Sequence, residues 1–276
     1  RAYGEDNAHA IAAQHLEEAP VDITPRKDAQ DWAKRLGGKS IPGGSVRLHR
    51  AGRIPELPGF REGAWWVQDA AAAVPVHLLG DINGQHIADL CAAPGGKTAQ
   101  LIAYGAKVTA VDQSQSRMQR LRENLARLHM KAELVVENAL NWNPQRRFDA
   151  ILLDAPCSST GTIRRHPDVQ RLKTAQSVQA LTPLQDQLLN SAARLLKPGG
   201  KMVYCVCSLQ SEEGEERIES FLAANPEFHR LPIDRRFMHI NKDADTKTAD
   251  MRLLPSWLGD LGGNDGFFAS LLQKSP

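Results

Sequence analysis

The chain has 276 residues, of which 42% are hydrophobic and 24% charged, with a formal net charge of +2. This is ordinary for a globular chain large enough to bury a core without staples. Four cysteines (Cys91, Cys157, Cys205 and Cys207) are too few and too scattered for a disulfide framework, no run of about 18 apolar residues offers a membrane span, and no apolar segment follows a basic start as in a secretory signal. A reducing, cytoplasmic setting without membrane contact is expected.

Residues 4–18 read as a helix, with Ala8, Ile11, Ala12 and Leu16 at helical spacing and Pro20 beyond its end. Residues 20–62 are short, Gly/Pro-punctuated and basic: Val21–Ile23 and Ser45–Leu48 alternate like strands, and Gln30–Leu36 reads as a short helix. The division expected is a small α+β unit over 1–62 and a catalytic domain over 63–276. From Arg26 to Arg61 nine Lys/Arg face three acids, a local balance of +6, and Arg164, Arg165, Arg171 and Lys173 form a second basic group. Basic patches on a near-neutral body suit local binding of a polyanion. Trp65 and Trp66 begin an apolar stretch and read as core.

Residues 86–209 alternate strand and helix. Strands are expected at His86–Cys91, at Lys107–Val111 before Asp112, at Glu133–Val136, at Asp149–Leu153 before Asp154, and at Lys201–Val206; helices are expected at Thr98–Tyr104, Ser114–Leu128 and Pro183–Leu196. The fold class that follows is α/β, a doubly wound, mostly parallel sheet of Rossmann-like type with the small α+β unit in front. Its ligands bind at the strands' carboxyl ends, near the switch point of the sheet.

Three segments reach that rim with chemistry. The first strand runs into Cys91-Ala92-Ala93-Pro94-Gly95-Gly96-Lys97, a Gly-containing turn at a helix start that lets backbone approach a ligand. It has neither the dinucleotide nor the P-loop spacing, which disfavours a pyrophosphate. Asp112, sixteen positions after Gly96, suits a ribose diol. Together they describe a nucleoside cofactor without a diphosphate, and S-adenosylmethionine fits. The fourth strand ends in Asp154-Ala155-Pro156-Cys157 and the fifth in Cys205-Val206-Cys207, so thiols and a carboxylate converge beside that cofactor. A zinc site needs closely spaced ligand pairs such as C-x-x-C, of which only Cys205-Val206-Cys207 comes close, and no metal is expected.

These segments resemble the Fmu/Sun family of RNA cytosine-5 methyltransferases, its bacterial small-subunit ribosomal RNA members above all. Asp89–Thr98 is similar to the family's cofactor loop, Asp154–Gly161 to its Pro-Cys motif, Tyr204–Ser208 to its Thr-Cys motif and Gly263–Phe268 to its closing motif, while Val67–Asp69 resembles its entry helix. The resemblance is strong from Trp65 to Leu272. It implies cofactor contacts at Cys91–Lys97, Asp112, Arg117, Asn138 and Asp154, an attacking thiol at Cys207, a releasing thiol at Cys157, and Asp154 on ring nitrogen 3 of the cytosine. It also implies RNA as partner, ribosomal RNA first, and such members carry an upstream helical RNA-binding domain that these residues do not include. Two departures stand out. Val206 replaces a Thr and so removes a hydroxyl donor beside the thiol; Asn138 replaces an Asp and is expected to reach adenine through its amide oxygen.

The mechanism implied is covalent: the Cys207 thiolate adds to carbon 6, which makes carbon 5 a nucleophile toward the sulfonium methyl. Lys97 is a candidate for the cation such a thiolate needs. The base that takes the carbon 5 proton is left open. The target base has to leave its stack, and Arg164, Arg165 and the Arg26–Arg61 patch are expected on phosphates. A monomer is expected. The rivals are a transfer RNA cytosine-5 enzyme, an amine-nitrogen methyltransferase, whose Pro-Pro-aromatic loop Asp154–Cys157 does not match, a DNA cytosine-5 enzyme, which needs no second cysteine, and a non-catalytic RNA scaffold of the same fold.

Overall fold

Alternating and continuous apolar runs build two sheets of unequal size. The computed structural model describes residues 2–233 and 250–276. Helix α1 (Gly4–Leu16) leads into β1 (Val21–Pro25), α2 (Ala29–Leu36), β2 (Lys39–Ser40), β3 (Val46–Leu48) and β4 (Trp65–Val67). These four strands form an antiparallel sheet in the order β2-β3-β1-β4, closed over Ile23, Val46, Leu48 and Trp65. The small sheet therefore takes Trp65–Val67, beyond the 62/63 division read from composition. The tryptophans are core, as expected, because they pair with Thr24 and Pro25 of β1.

The second sheet has eight strands. After α3 (Ala70–Leu78) come β5 (His86–Leu90), α4 (Gly96–Ala103), β6 (Lys107–Asp112), α5 (Gln115–Arg127), β7 (Glu133–Val136), β8 (Phe148–Asp154), the short α6 (Val169–Leu172), α7 (Ala175–Leu195), β9 (Leu196–Val206), α8 (Glu215–Ala224), β10 (Phe228–Arg230), β11 (Met251–Leu253) and β12 (Phe267–Lys274). The order is β10-β12-β9-β8-β5-β6-β7, with β11 also on β12. Strands β5 to β9 pair in parallel, and β12 joins β9 antiparallel. This is the expected doubly wound α/β sheet, and β5 is where the winding reverses. Side chains of β9 alternate between the two layers: Met202, Tyr204 and Val206 enter one core, Val203 and Cys205 the other.

Two local readings change. The segment Val67–Asp69 is strand end and cap: Asp69 caps α3 by accepting from Ala71 N–H at 2.9 Å, and the helix starts at Ala70. Helix α7 begins eight residues before Pro183. Thr174 and Ser177 form a capping box there, and inside the helix Thr182 Oγ1 donates to the carbonyl of Gln179, 3.2 Å away, which the proline has left without its N–H. Proline here marks the interior and not the first turn.

Two arginines counted as surface charge are buried rivets. Arg47 lies under the small sheet with its fork on Asp22 at 2.7 Å and Nη1 on the carbonyl of Leu261 at 3.0 Å. Asp22 also accepts from Ala70 N–H, so the pair joins the small sheet to α3 and to the C-terminal segment. Arg164 has 1% of its side chain exposed; it binds Asp69 at 2.6 Å, Asp265 at 3.2 Å and the Gly262 carbonyl at 2.8 Å. It is therefore unavailable to a phosphate, contrary to expectation, because two carboxylates and a carbonyl have claimed it. The other eight cations of the Arg26–Arg61 group are exposed. Removing one partner of a buried pair strands the other, so Arg47→Ala is expected to lose about 3–5 kcal/mol in urea unfolding. Arg53→Ala, which removes a surface pair with Glu56, is expected to stay within about 0.5 kcal/mol.

Candidate active site

The carboxyl ends of β5, β6, β8 and β9 open onto a cavity of about 340 Å³, within the roughly 300–1,000 Å³ of small-molecule pockets. It collects Cys91, Asp112, Arg117, Asn138, Asp154, Cys157 and Cys207 from the sequence reading. Ala92–Lys97 do not line it. Ala92 and Ala93 are buried, and Gly95 sits at φ +102°, where a Cβ would come within 2.8 Å of Leu121 Cγ. That glycine serves the packing of the turn on α5. Lys97 turns inward to Asp154, Nζ to Oδ2 2.8 Å, and lies over the Phe267 ring at 5.0 Å. Burial works against the Lys97 charge, but the facing Asp154 carboxylate more than offsets it and holds the ammonium above its ordinary value.

The cofactor half of the cavity is acidic. Asp112 accepts from Ser114 N–H at 2.9 Å and Ala93 N–H at 3.2 Å, which ties the β5 turn to the end of β6. Arg117 bonds the Ala93 carbonyl and stands 3.5 Å from Asp112. Asn138 accepts from Leu140 N–H through Oδ1 at 3.0 Å. That bond orients the amide on the cavity wall and leaves its nitrogen and the second lone pair of its oxygen for a ligand. Glu137 and Gln113, absent from the sequence reading, also line the cavity; each directly follows a rim strand, a position that signals them. With Asp112, Glu137 and Asp154 on its walls, the cavity fits a nucleoside that carries a cation.

The other half holds the sulfurs. Cys157 Sγ and Cys207 Sγ lie 3.5 Å apart, and Ser159 Oγ is 3.6 Å from Cys207. The hydrogen bond from Cys157 lowers the Cys207 thiol from its usual value, with burial and Asp154 opposing and Ser159 and Lys97 assisting. The same hydrogen bond and burial push Cys157 well up. Of the pair, the surroundings favour ionisation of Cys207 over that of Cys157. Cys91 is pushed up to about 12 by burial and by Asp154 and Asp112. Cys205 is fully buried beneath the site, its sulfur 3.7 Å from Asp154 Oδ1. Val206 points into the opposite core, so the missing Thr hydroxyl was never beside the thiol; Ser159 is.

Sequence reasoning missed Glu213, which lies in an acidic run that reads as surface. It is fully buried behind the two cysteine loops. Arg165 keeps 39% of its side chain exposed while its Nε and Nη2 hold Asp265.

Comparison with known proteins identifies the family of the chain. Ribosomal RNA small subunit methyltransferase B of Cronobacter sakazakii is 39% identical over 256 residues, 88% of this chain and 57% of that protein. The chain spans about half the length of the curated relatives it matches. A methyltransferase homolog protein from Pyrococcus horikoshii superposes with a TM-score of 0.81 at 28% identity, covering 99% of this chain and 92% of that one. NSun6 from Pyrococcus horikoshii, solved with SFG, gives 0.70 at 28% identity over 82% of this chain and 57% of that one. Residues 76–273, from α3 through nearly all of β12, match the model of the 16S rRNA methyltransferase RsmB/F family, and the chain belongs to that family.

Proposed function

We propose that the chain methylates carbon 5 of a cytosine in RNA, 16S ribosomal RNA first, with S-adenosylmethionine as donor and a cysteine adduct as intermediate. The observation that carries this reading is the pair of sulfurs 3.5 Å apart, with the lowered one on Cys207, beside a cavity lined by Asp112 and Asp154. Family membership supports RNA as the substrate class.

In this reading Asp112, Asn138, Arg117 and Cys91 hold the cofactor, which when bound supplies an electrophilic methyl on a sulfonium. The Cys207 thiolate bonds to carbon 6 of the extruded base, and the electron pair of the 5,6 double bond moves into the ring. A proton shared between Asp154 and ring nitrogen 3 neutralises the charge that the addition sends to that nitrogen, and Lys97, hydrogen-bonded to Asp154, balances the carboxylate left behind. Carbon 5 takes the methyl, then loses its proton to a base, and the carbon–sulfur bond breaks to return Cys207 as thiolate. Cys157, already hydrogen-bonded to that sulfur, assists the release. Leu184 and Leu188 of α7 line the cavity and keep part of its wall dry.

Phosphate contacts in this reading fall to exposed cations. Arg171 and Lys173 are exposed past the Cys157 loop, with Arg165 beside them, and the small unit offers Lys34, Arg35 and Lys39.

Cys207→Ala is expected to abolish methyl transfer from radiolabelled donor while equilibrium dialysis shows cofactor binding intact. Cys157→Ala is expected to accumulate a protein–RNA adduct on a denaturing gel; normal turnover in both variants would reject these roles. Iodoacetamide is expected to alkylate Cys207 at lower pH than Cys157, because the lowered thiol ionises first as pH rises. Replacing Arg165, Arg171 and Lys173 together by Gln is expected to flatten the log–log salt dependence of RNA binding by about 2 in slope.

A further inference from the structure

Glu213 is a buried carboxylate that the mechanism does not use. Its Oε1 accepts from Ser158 N–H at 2.8 Å and from Gln185 Nε2 at 3.2 Å; its Oε2 accepts from Ser158 Oγ and Ser208 Oγ, each at 2.5 Å. No ion pair to it occurs among the described residues. A charge held in the interior by neutral donors alone is costly, so its neighbours define what it secures. Ser158 directly follows Cys157 and Ser208 directly follows Cys207. Gln185 also donates to the carbonyl of Pro156 at 2.9 Å, on the other side of Cys157. The clamp is itself anchored: Tyr204 Oη of β9 donates to the Glu213 carbonyl at 2.7 Å, and Arg252 bonds the Ser208 carbonyl.

We propose that Glu213 is a positioning residue whose buried carboxylate bridges Ser158 and Ser208 and thereby holds the sulfurs of Cys157 and Cys207 face to face. The two loops leave adjacent strands, β8 and β9; without the bridge, Ala155 and Gly161 backbone, Thr160 Oγ1 on Leu209 N–H at 3.0 Å and the hydroxyl contacts of Ser208 remain between them. Of these only the Ser158–Ser208 hydroxyl contact joins the residues beside both cysteines, and both of its hydroxyls are held by the carboxylate. The effect on turnover rests on the cysteine-adduct reading above; the geometric effect does not.

The test uses the full chain and two measurements. Diamide takes the two thiol hydrogens as the Cys157–Cys207 disulfide closes, and peptide mass gives the closure rate without RNA or cofactor. Methyl transfer gives kcat and the KM for the donor. Glu213→Ala is expected to slow closure about tenfold and lower kcat about 10²-fold, with the donor KM within about twofold, as displacement of a reacting group by about 1 Å does. Glu213→Gln is expected to restore both, since its amide oxygen still accepts from Ser158 N–H and the serine hydroxyls can turn to accept from its nitrogen. The Ser158→Ala, Ser208→Ala double variant removes the same bridge from the other side and serves if Glu213→Ala does not fold.

Folded variants that close the disulfide and turn over at the wild-type rate would overturn the proposal, as would a Gln variant as slow in closure as the Ala variant. Slowed closure with unchanged methyl transfer upholds the clamp and rejects the adduct mechanism instead.

Discussion

The site depends on the register in which β9 runs beside β8. Asp154 pairs with Cys205, and Ala155 N–H donates to the Cys205 carbonyl at 3.0 Å. The chain then turns back, so that Gly161 N–H meets the Cys207 carbonyl at 3.0 Å and the Gly161 carbonyl accepts from Gly266 N–H at 2.7 Å. Three segments, at 154–161, 205–208 and 265–267, are thereby laced by backbone bonds, to which the Glu213 bridge adds a side-chain tie. A Cβ on Gly161 would fall 1.9 Å from the Gly266 carbonyl oxygen, so the closeness itself requires glycine. A slip of one residue in this register would turn Cys207 to the opposite layer, into the core that takes Val206.

Electrostatics add a second constraint on the same rim. Asp89, Asp112 and Asp154 end or nearly end adjacent parallel strands, and a single lysine, Lys97, is paired with the innermost cluster. Asp89 is fully buried, takes Thr98 Oγ1 at 2.5 Å and is pushed up to about 7, chiefly by burial. Near neutral pH this carboxyl holds its proton part of the time, which lowers the charge that Lys97 has to balance. The cavity keeps its acidic lining toward the cofactor side, where Arg117 stands by Asp112, while Lys97 lies behind Asp154 outside the lining.

The sheet, its switch point and the convergence of Asp112, Asp154, Cys157 and Cys207 were legible because each depends on local pattern: apolar runs of fixed length, each closed by a polar residue. What was not legible depends on partners distant in sequence. Arg47 and Arg164 are indistinguishable from surface cations until Asp22, Asp69 and Asp265 are brought to them. Glu213 sits in an acidic run, and its burial follows from the meeting of the Ser158 and Ser208 loops. The start of α7 was hidden by Pro183, whose usual place in a first turn drew the helix start away from the Thr174–Ser177 box, which opens nine residues earlier. The bond from Leu140 N–H that orients the Asn138 amide is a turn feature that composition does not reveal.

The C-terminal segment belongs to the site as fully as the motif strands do. Strand β12 adds antiparallel to β9, and its pairing of Phe268 with Val206 and Ala269 with Cys205 braces the strand that ends in Cys207. The residues just before it hold Arg164 through Gly262 and Asp265 and receive Arg47 through Leu261, while Phe267 roofs Lys97. Asp69, Asp265 and Arg164 then tie the cap of α3, the closing loop and the loop after the Cys157 turn into one buried cluster. A parallel sheet alone leaves its carboxyl-end loops free to move independently. Here the antiparallel return of the chain couples three of those loops and braces the strand ends from which the two sulfurs, 3.5 Å apart, are presented.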